Sequence, residues 1–200
     1  MALHASIRQQ LSTQLGAGAD DQATLNNALR LLSKWRSVLI QNTLLQQQGT
    51  VVMQGPLAGL DFLQQSAEGC HIAKLLGCYE QPLQPFIEQA SAQAYPTILN
   101  IGCAEGYYAV GMAKRMPNTR VLAYDLNSKA QPICRELATK NGVSDRVQVG
   151  GLFQLLTLRP TPASTSWYYA TSRGRKKTCL ILRQRQLSRA WISSLRATSA

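Results

Sequence analysis

The chain has 200 residues, of which 45% are hydrophobic, and a formal net charge of +11. This length suggests one domain with an extension, and the apolar content is ample for a core. No apolar run is long enough to span a bilayer, and residues 1–10 lack the charged-then-apolar pattern of a signal peptide. We therefore expect a cytoplasmic protein with no membrane partner.

The positive charge is concentrated at one end of the chain. Residues 1–150 hold 12 Lys and Arg together with all 10 acidic residues, whereas residues 151–200 hold 9 Lys and Arg and no acidic residue. The basicity is therefore a property of the tail rather than of the main domain.

The cysteines indicate neither a disulfide framework nor a metal site. They are odd in number and lack paired C-x-x-C spacing. The five are Cys70, Cys78, Cys103, Cys134 and Cys179.

The first 48 residues predict helices. Apolar residues recur at helical spacing from Ile7 to Leu15 and again from Ala23 to Leu45. Asp20 or Asp21 is placed to cap the second helix. We interpret these helices as a packing or dimerisation arm, which would allow a homodimer.

A short extended pattern follows these helices. Thr50–Met53 predicts a strand, Gly55-Pro56 a turn, and Leu57–Phe62 a second short segment, which together predict a small hairpin. A helical pattern then returns from Ala67 to Ala94. Residues 1–95 are thus expected to form a helical N-terminal extension with a small hairpin.

The stretch from Thr97 to Ala113 carries the strongest signal in the chain. Apolar residues come first, then a turn on Gly102 and Gly106, then apolar residues at helical spacing, which predicts a buried strand, a turn and a helix. Glycines in such a turn permit a positive φ and let a ligand approach the backbone. The helix that follows directs free N–H groups and a positive dipole end at that ligand.

A second strand, Val121–Asp125, ends in an acidic residue 19 positions after Gly106. In α/β nucleotide-binding folds an acid at this place accepts hydrogen bonds from a ribose. A helix up to about Lys140 and a third strand, Asp145–Val149, complete a β-α-β-α-β order, which is half of a doubly wound sheet.

The glycine turn departs from the dinucleotide pattern G-x-G-x-x-G, because Ala104 stands where the second glycine belongs. The run Asn100-x-Gly102-x-x-x-Gly106 instead resembles motif I of the class I S-adenosylmethionine-dependent methyltransferases, and Val121–Asn127 resembles their motif II. The resemblance covers roughly residues 96–150. It implies an α/β fold with a partial Rossmann-like methyltransferase sheet, S-adenosyl-L-methionine as cofactor, and methyl transfer to an unknown acceptor. A plain βαβ unit with tight packing at its glycines is the alternative.

The resemblance also implies which residues bind the cofactor. Asn100 and Glu105 would serve the polar methionine end, Asp125 would hold the ribose hydroxyls, and Leu126 would lie beside the adenine. Because this family usually has Asp or Glu where Asn100 stands, we expect weaker binding or compensation by Glu105. The full set is Asn100, Gly102, Cys103, Ala104, Glu105, Gly106, Asp125 and Leu126. No catalytic residue and no metal ligand is identified.

The regular pattern breaks after about residue 152. Arg173–Lys177 and Arg183–Arg185 are basic, and the segment around them has no clear period. We hypothesise that the reading frame shifts here, because codons permitted for Thr165–Leu182 allow V-L-V-L-C-D-I-E-G-A-E-K-D-L-L-D-P in another frame. That reading is an apolar strand ending in acids, and it resembles the fourth-strand region of FkbM-like methyltransferases. Residues 152–200 would then be a basic tail outside the fold, in a truncated or frameshifted copy with poor turnover.

Two other functions stay open at this point. A genuine basic tail would favour a nucleic-acid-binding protein. The third option is an NAD(P)-dependent oxidoreductase. We favour the methyltransferase over both.

Overall fold

The computed structural model describes residues 2–16, 21–67, 69–93, 95–153 and 167–170. Contacts divide the chain into two units, residues 1–49 and residues 50–200. The sequence had grouped residues 50–95 with the N-terminal helices, whereas these contacts group them with the sheet.

The first unit is a pair of helices, α1 (Ala2–Gly16) and α2 (Gln22–Gln48). Asp21 caps α2 as predicted, because its Oδ1 accepts a hydrogen bond from the Thr24 N–H at 2.7 Å. The helices contact each other through Trp35 and His4, whose side-chain nitrogens are 3.2 Å apart.

Much of the apolar surface of α2 is exposed. Ala28 is its buried residue, whereas Leu25 and Leu29 are 64% and 63% exposed. These exposed leucines are available to pack against a partner. The homodimer expected through these helices stays a prediction.

The second unit begins with the predicted hairpin, which forms a single antiparallel bridge between Val51 and Asp61. Three short helical elements follow: α3 (His71–Leu76), a 3₁₀ turn (Gln81–Leu83) and α4 (Gln84–Ser91). The hairpin packs against the main domain, since the Asp61 N–H donates to the Asn141 side chain at 2.9 Å.

The predicted β-α-β-α-β order is confirmed. It consists of β1 (Thr97–Ile101), α5 (Tyr107–Arg115), β2 (Arg120–Tyr124), α6 (Ala130–Lys140) and β3 (Val147–Gly150). The core of this part is formed by apolar side chains of the strands and of both helices, among them Ile98, Leu99, Val110, Val121, Ala123, Cys134 and Leu137. Burial of three successive residues in the middle of β1 is typical of a strand covered on both faces.

A fourth strand, β4 (Trp167–Ala170), pairs with β1 on the side away from β2. The sheet order is β3-β2-β1-β4, and all three pairs are parallel. The sequence had placed residues 152–200 outside the fold, and the structure differs at these four residues. Aromatic residues favour strands. The tail has no clear hydrophobic period, so this strand forms through its pairing with β1. Residues 154–166 and 171–200, and the frameshift hypothesis with them, lie outside the described residues.

Within the described ranges, no helix combines the length and the apolar character that crossing a lipid bilayer requires.

Candidate functional site

The loop between β1 and α5 has an unusual backbone. Gly102, Ala104 and Gly106 have φ angles of 77°, 45° and 93°. Such angles are uncommon for a residue with a side chain, so Ala104 is held there by its surroundings. Part of that restraint comes from β2, because the N–H groups of Gly102 and Cys103 both donate to the Tyr124 carbonyl, at 2.7 and 3.0 Å.

Asp125 follows β2 directly and faces this loop. Its Oδ2 accepts a hydrogen bond from the Ala104 N–H at 2.8 Å, and its Oδ1 accepts one from the Asn127 N–H at 2.8 Å. The predicted proximity of the acid to the glycine turn is therefore present. Each carboxylate oxygen has a second lone pair, which leaves room for hydroxyl donors of a ligand. Next to it, Leu126 is 76% exposed.

Gly106 is required by its positive φ and by its packing against α6. A Cβ at this position would lie 2.6 Å from Cys134 Sγ on α6 and 3.2 Å from Val110 Cγ2. A side chain here would thus push α6 away from the start of α5. The sequence had assigned the glycines of this turn to a positive φ and to a close ligand. At Gly106 the φ of 93° confirms the first reason, the packing against Cys134 adds another, and the ligand contact stays a prediction.

Asn100 lies within β1, with its Cα paired to Ala123 and to Tyr169 on the two sides. It is 2% exposed, and its Oδ1 has no hydrogen-bond partner among the described residues. A buried acceptor left without a donor costs about 1–3 kcal/mol. This oxygen is therefore suited to accept a hydrogen bond from an incoming donor.

Glu105 is fully buried within the loop. Its Oε1 accepts hydrogen bonds from Lys74 Nζ and from Ser66 Oγ, the latter at 2.5 Å. Its Oε2 has no partner in the part of the chain that the structure describes. The negative charge of Glu105 is therefore already balanced by Lys74. The predicted contact of Glu105 with the methionine end of the cofactor would have to be made by Oε2.

Lys74 was missed by the sequence analysis. It lies on α3, is 3% exposed, and its ammonium is 4.7 Å from the ring centroid of Tyr79 and 5.9 Å from that of Tyr107. Burial lowers the pKa of Lys74, and the nearby Glu105 carboxylate opposes that shift. The available signal was a lysine among the apolar residues of a short helix, which is unusual unless the charge is paired.

Cys103 has a protected thiol. Its side chain is 5% exposed, and its pKa is raised, first by a hydrogen bond with Cys134 and then by burial. A thiol of this kind stays protonated near neutral pH and is a poor nucleophile.

No family model matches the chain. A curated relative does match: the chain is 34% identical over 79 residues to the release factor glutamine methyltransferase of Chlorobaculum tepidum. That match and the geometry of the loop agree. Over the matched segment the chain is similar to class I S-adenosylmethionine-dependent methyltransferases. The match covers 32% of this chain and 27% of the relative, so the chain spans about a quarter of that protein's length.

Solved methyltransferase structures also match part of this chain. An RNA methyltransferase from Salinibacter ruber, in complex with S-adenosyl-L-homocysteine, is 17% identical with a TM-score of 0.36, covering 45% of this chain and 57% of that one. An O-methyltransferase from Bacillus cereus, in complex with SAH, is 22% identical with a TM-score of 0.36, covering 42% and 41%. The FkbM-like subtype stays a prediction.

Proposed function

We propose that this chain carries a methyltransferase core, which binds S-adenosyl-L-methionine at the loop between β1 and α5 and transfers its methyl group to an acceptor. The observation that supports this most is the position of Asp125. Its carboxylate lies at the end of β2, hydrogen-bonded to Ala104 of the loop. An acid one strand away from a glycine turn is the arrangement that holds a ribose in α/β nucleotide-binding folds.

The described residues fit such a cofactor at two further points. The buried Asn100 Oδ1 has no donor among them and could accept one from the methionine ammonium. The exposed Leu126 offers an apolar surface beside Asp125 for the adenine. The bound cofactor would supply an electrophilic methyl group on a sulfonium. The work of these residues is then to orient it and to exclude water.

The uncharged Asn100 suggests weak binding. A hydrogen bond to a charged acceptor is stronger than one to a neutral amide, and the charge of Glu105 is shared with Lys74. We therefore infer that this chain binds its cofactor more weakly than a methyltransferase with an acid at this place. The acceptor of the curated relative is not carried over, because the match spans only about a quarter of that protein.

Calorimetry with S-adenosylhomocysteine and with NADH tests the proposal on the purified 200-residue chain. We expect measurable binding of S-adenosylhomocysteine and none of NADH, because Ala104 replaces the second dinucleotide glycine. Binding of NADH alone would support the oxidoreductase instead. Binding of neither would overturn the proposed function. Salt-sensitive binding of nucleic acid would then favour a nucleic-acid-binding protein that uses its basic tail.

A further inference from the structure

A buried ion pair joins the segment before the sheet to the β1–α5 loop. Lys74 of α3 donates from Nζ to Glu105 Oε1, and the two side chains are 3% and 0% exposed. Ser66 completes the cluster, because Lys74 Nζ donates to its hydroxyl at 2.8 Å while that hydroxyl donates to Glu105 at 2.5 Å.

Aromatic side chains enclose this pair. The ammonium of Lys74 is 4.7, 5.8 and 5.9 Å from the ring centroids of Tyr79, Phe62 and Tyr107. The Tyr107 hydroxyl also donates to the Lys74 carbonyl at 3.3 Å. The Lys74 charge is therefore fixed both by its carboxylate partner and by the faces of three rings.

Stability alone does not account for such a pair. Taking two charges out of water offsets most of their attraction, and apolar residues of similar volume are often as stable or more stable in the same place. Another ion pair in this unit, between Arg115 and Glu88, is 34% and 51% exposed and carries no comparable desolvation cost. The buried pair thus calls for a role that depends on geometry.

The carboxylate partner of Lys74 lies in the β1–α5 loop itself. Glu105 is adjacent to Ala104, whose N–H is held by Asp125. It also precedes Gly106, the N-cap residue of α5, which has a φ of 93°. Two successive loop residues are therefore held by different parts of the fold, one by the end of β2 and one by α3. Since Ala104 has a positive φ, releasing either restraint would let the loop relax.

We propose that Lys74 is a positioning residue, which through Glu105 holds the β1–α5 loop in the conformation that binds the cofactor. The predicted effect of Lys74 on cofactor affinity rests on the proposed function. Its predicted effect on the conformation of the loop does not. The segment from Ser66 to Tyr79, although distant in sequence, then belongs to the cofactor site as its support.

The test replaces both charges at once. Lys74→Met alone leaves a buried carboxylate without its cation and should destabilise the fold. Lys74→Met/Glu105→Leu removes both charges, so its melting temperature should return toward that of the wild type. The matched control is the exposed pair, changed as Arg115→Met/Glu88→Gln.

The first measurement is amide hydrogen exchange of the ligand-free proteins. In Lys74→Met/Glu105→Leu we expect residues 102–106 to exchange about tenfold faster or more, while residues 120–124 of β2 and the control variant stay unchanged. Unchanged exchange in the loop would overturn the proposal. Equal acceleration in loop and strand would also overturn it, because the pair would then be a general stabiliser.

The second measurement is the affinity for S-adenosylhomocysteine. We expect the double variant to bind about tenfold more weakly than the wild type even though its melting temperature has recovered. Affinity that recovers together with the melting temperature would contradict the positioning role. If the wild type itself binds no S-adenosylhomocysteine, the proposed function fails, and the exchange result still decides the role of Lys74.

Discussion

The Asp125 carboxylate accepts a hydrogen bond from the Ala104 N–H at 2.8 Å, and this bond joins the end of β2 to the loop after β1. Ala104 has a φ of 45°, so the bond also helps to hold a strained residue in place. Asp125 therefore has a structural task besides the ligand contact proposed for it. A substitution of Asp125 would disturb both, and the loss of affinity alone would not separate them.

Asn100→Asp is expected to strengthen cofactor binding. The new carboxylate would offer a charged acceptor where the buried amide oxygen now has no partner among the described residues. A charge-assisted hydrogen bond gains about 1–2 kcal/mol over a neutral one, so the affinity for S-adenosylhomocysteine should rise about tenfold. Isothermal calorimetry on the purified variant measures this.

The same variant should be less stable without its ligand. Burying an unpaired carboxylate at a position that is 2% exposed costs free energy. Gln148→Glu is a suitable control, because it adds the same charge at an exposed position of β3. An unchanged or weaker affinity of Asn100→Asp would argue against an ammonium at this place.

Gly106→Ala should destabilise the protein by about 3 kcal/mol, the sum of a positive φ and an overpacked contact with Cys134. Gly142→Ala is the matched control. Its φ is 67°, and no atom lies within 4 Å of the added Cβ, so only the backbone cost of about 1 kcal/mol applies. Urea unfolding of both variants gives the difference. Equal losses would show that the contact with Cys134 is not what requires Gly106.

His71 should make stability depend on pH. Burial lowers its pKa from the usual 6.5, while a hydrogen bond to the Leu63 carbonyl opposes that shift. On acidification the unfolded chain therefore takes up the proton first, so stability is fully present above pH 6.5 and falls as the pH drops below it. Urea unfolding at pH 5.5 and pH 7 should show a smaller difference for His71→Gln, which can keep a donor to Leu63 but does not titrate. A difference as large as that of the wild type would rule out His71 as its source.

The sequence predicted the central part of the fold because its signals are local. The apolar run of β1, the two glycines of the turn and the acid that ends β2 each identify an element within a few residues. Parallel pairing then brings the carboxyl ends of neighbouring strands together, which is why the proximity of Asp125 to the loop could be inferred before any coordinates.

The rest depends on contacts between distant residues. Lys74 and Glu105 are 31 positions apart, and no periodic pattern relates them. The contact of Gly106 with Cys134 likewise joins the loop to a different helix. β4 forms by pairing with β1, so the absence of a local period in the tail did not reveal it. Tertiary context decided each of these features.

The central claim is that Asp125 holds the ribose of an adenosyl ligand beside the β1–α5 loop. The most direct test compares the affinities of S-adenosylhomocysteine and of its analogue without the two ribose hydroxyls, in the wild type, in Asp125→Ala and in the exposed-acid control Asp145→Ala. Because loop disturbance weakens both ligands alike, only a lost hydroxyl contact changes their ratio.

We expect the wild type and Asp145→Ala to bind the analogue about tenfold or more weakly than S-adenosylhomocysteine, since each hydrogen bond to a charged group is worth about 1.5–3 kcal/mol. In Asp125→Ala that ratio should fall to about threefold or less. An unchanged ratio in Asp125→Ala, or no discrimination by the wild type, would contradict the account.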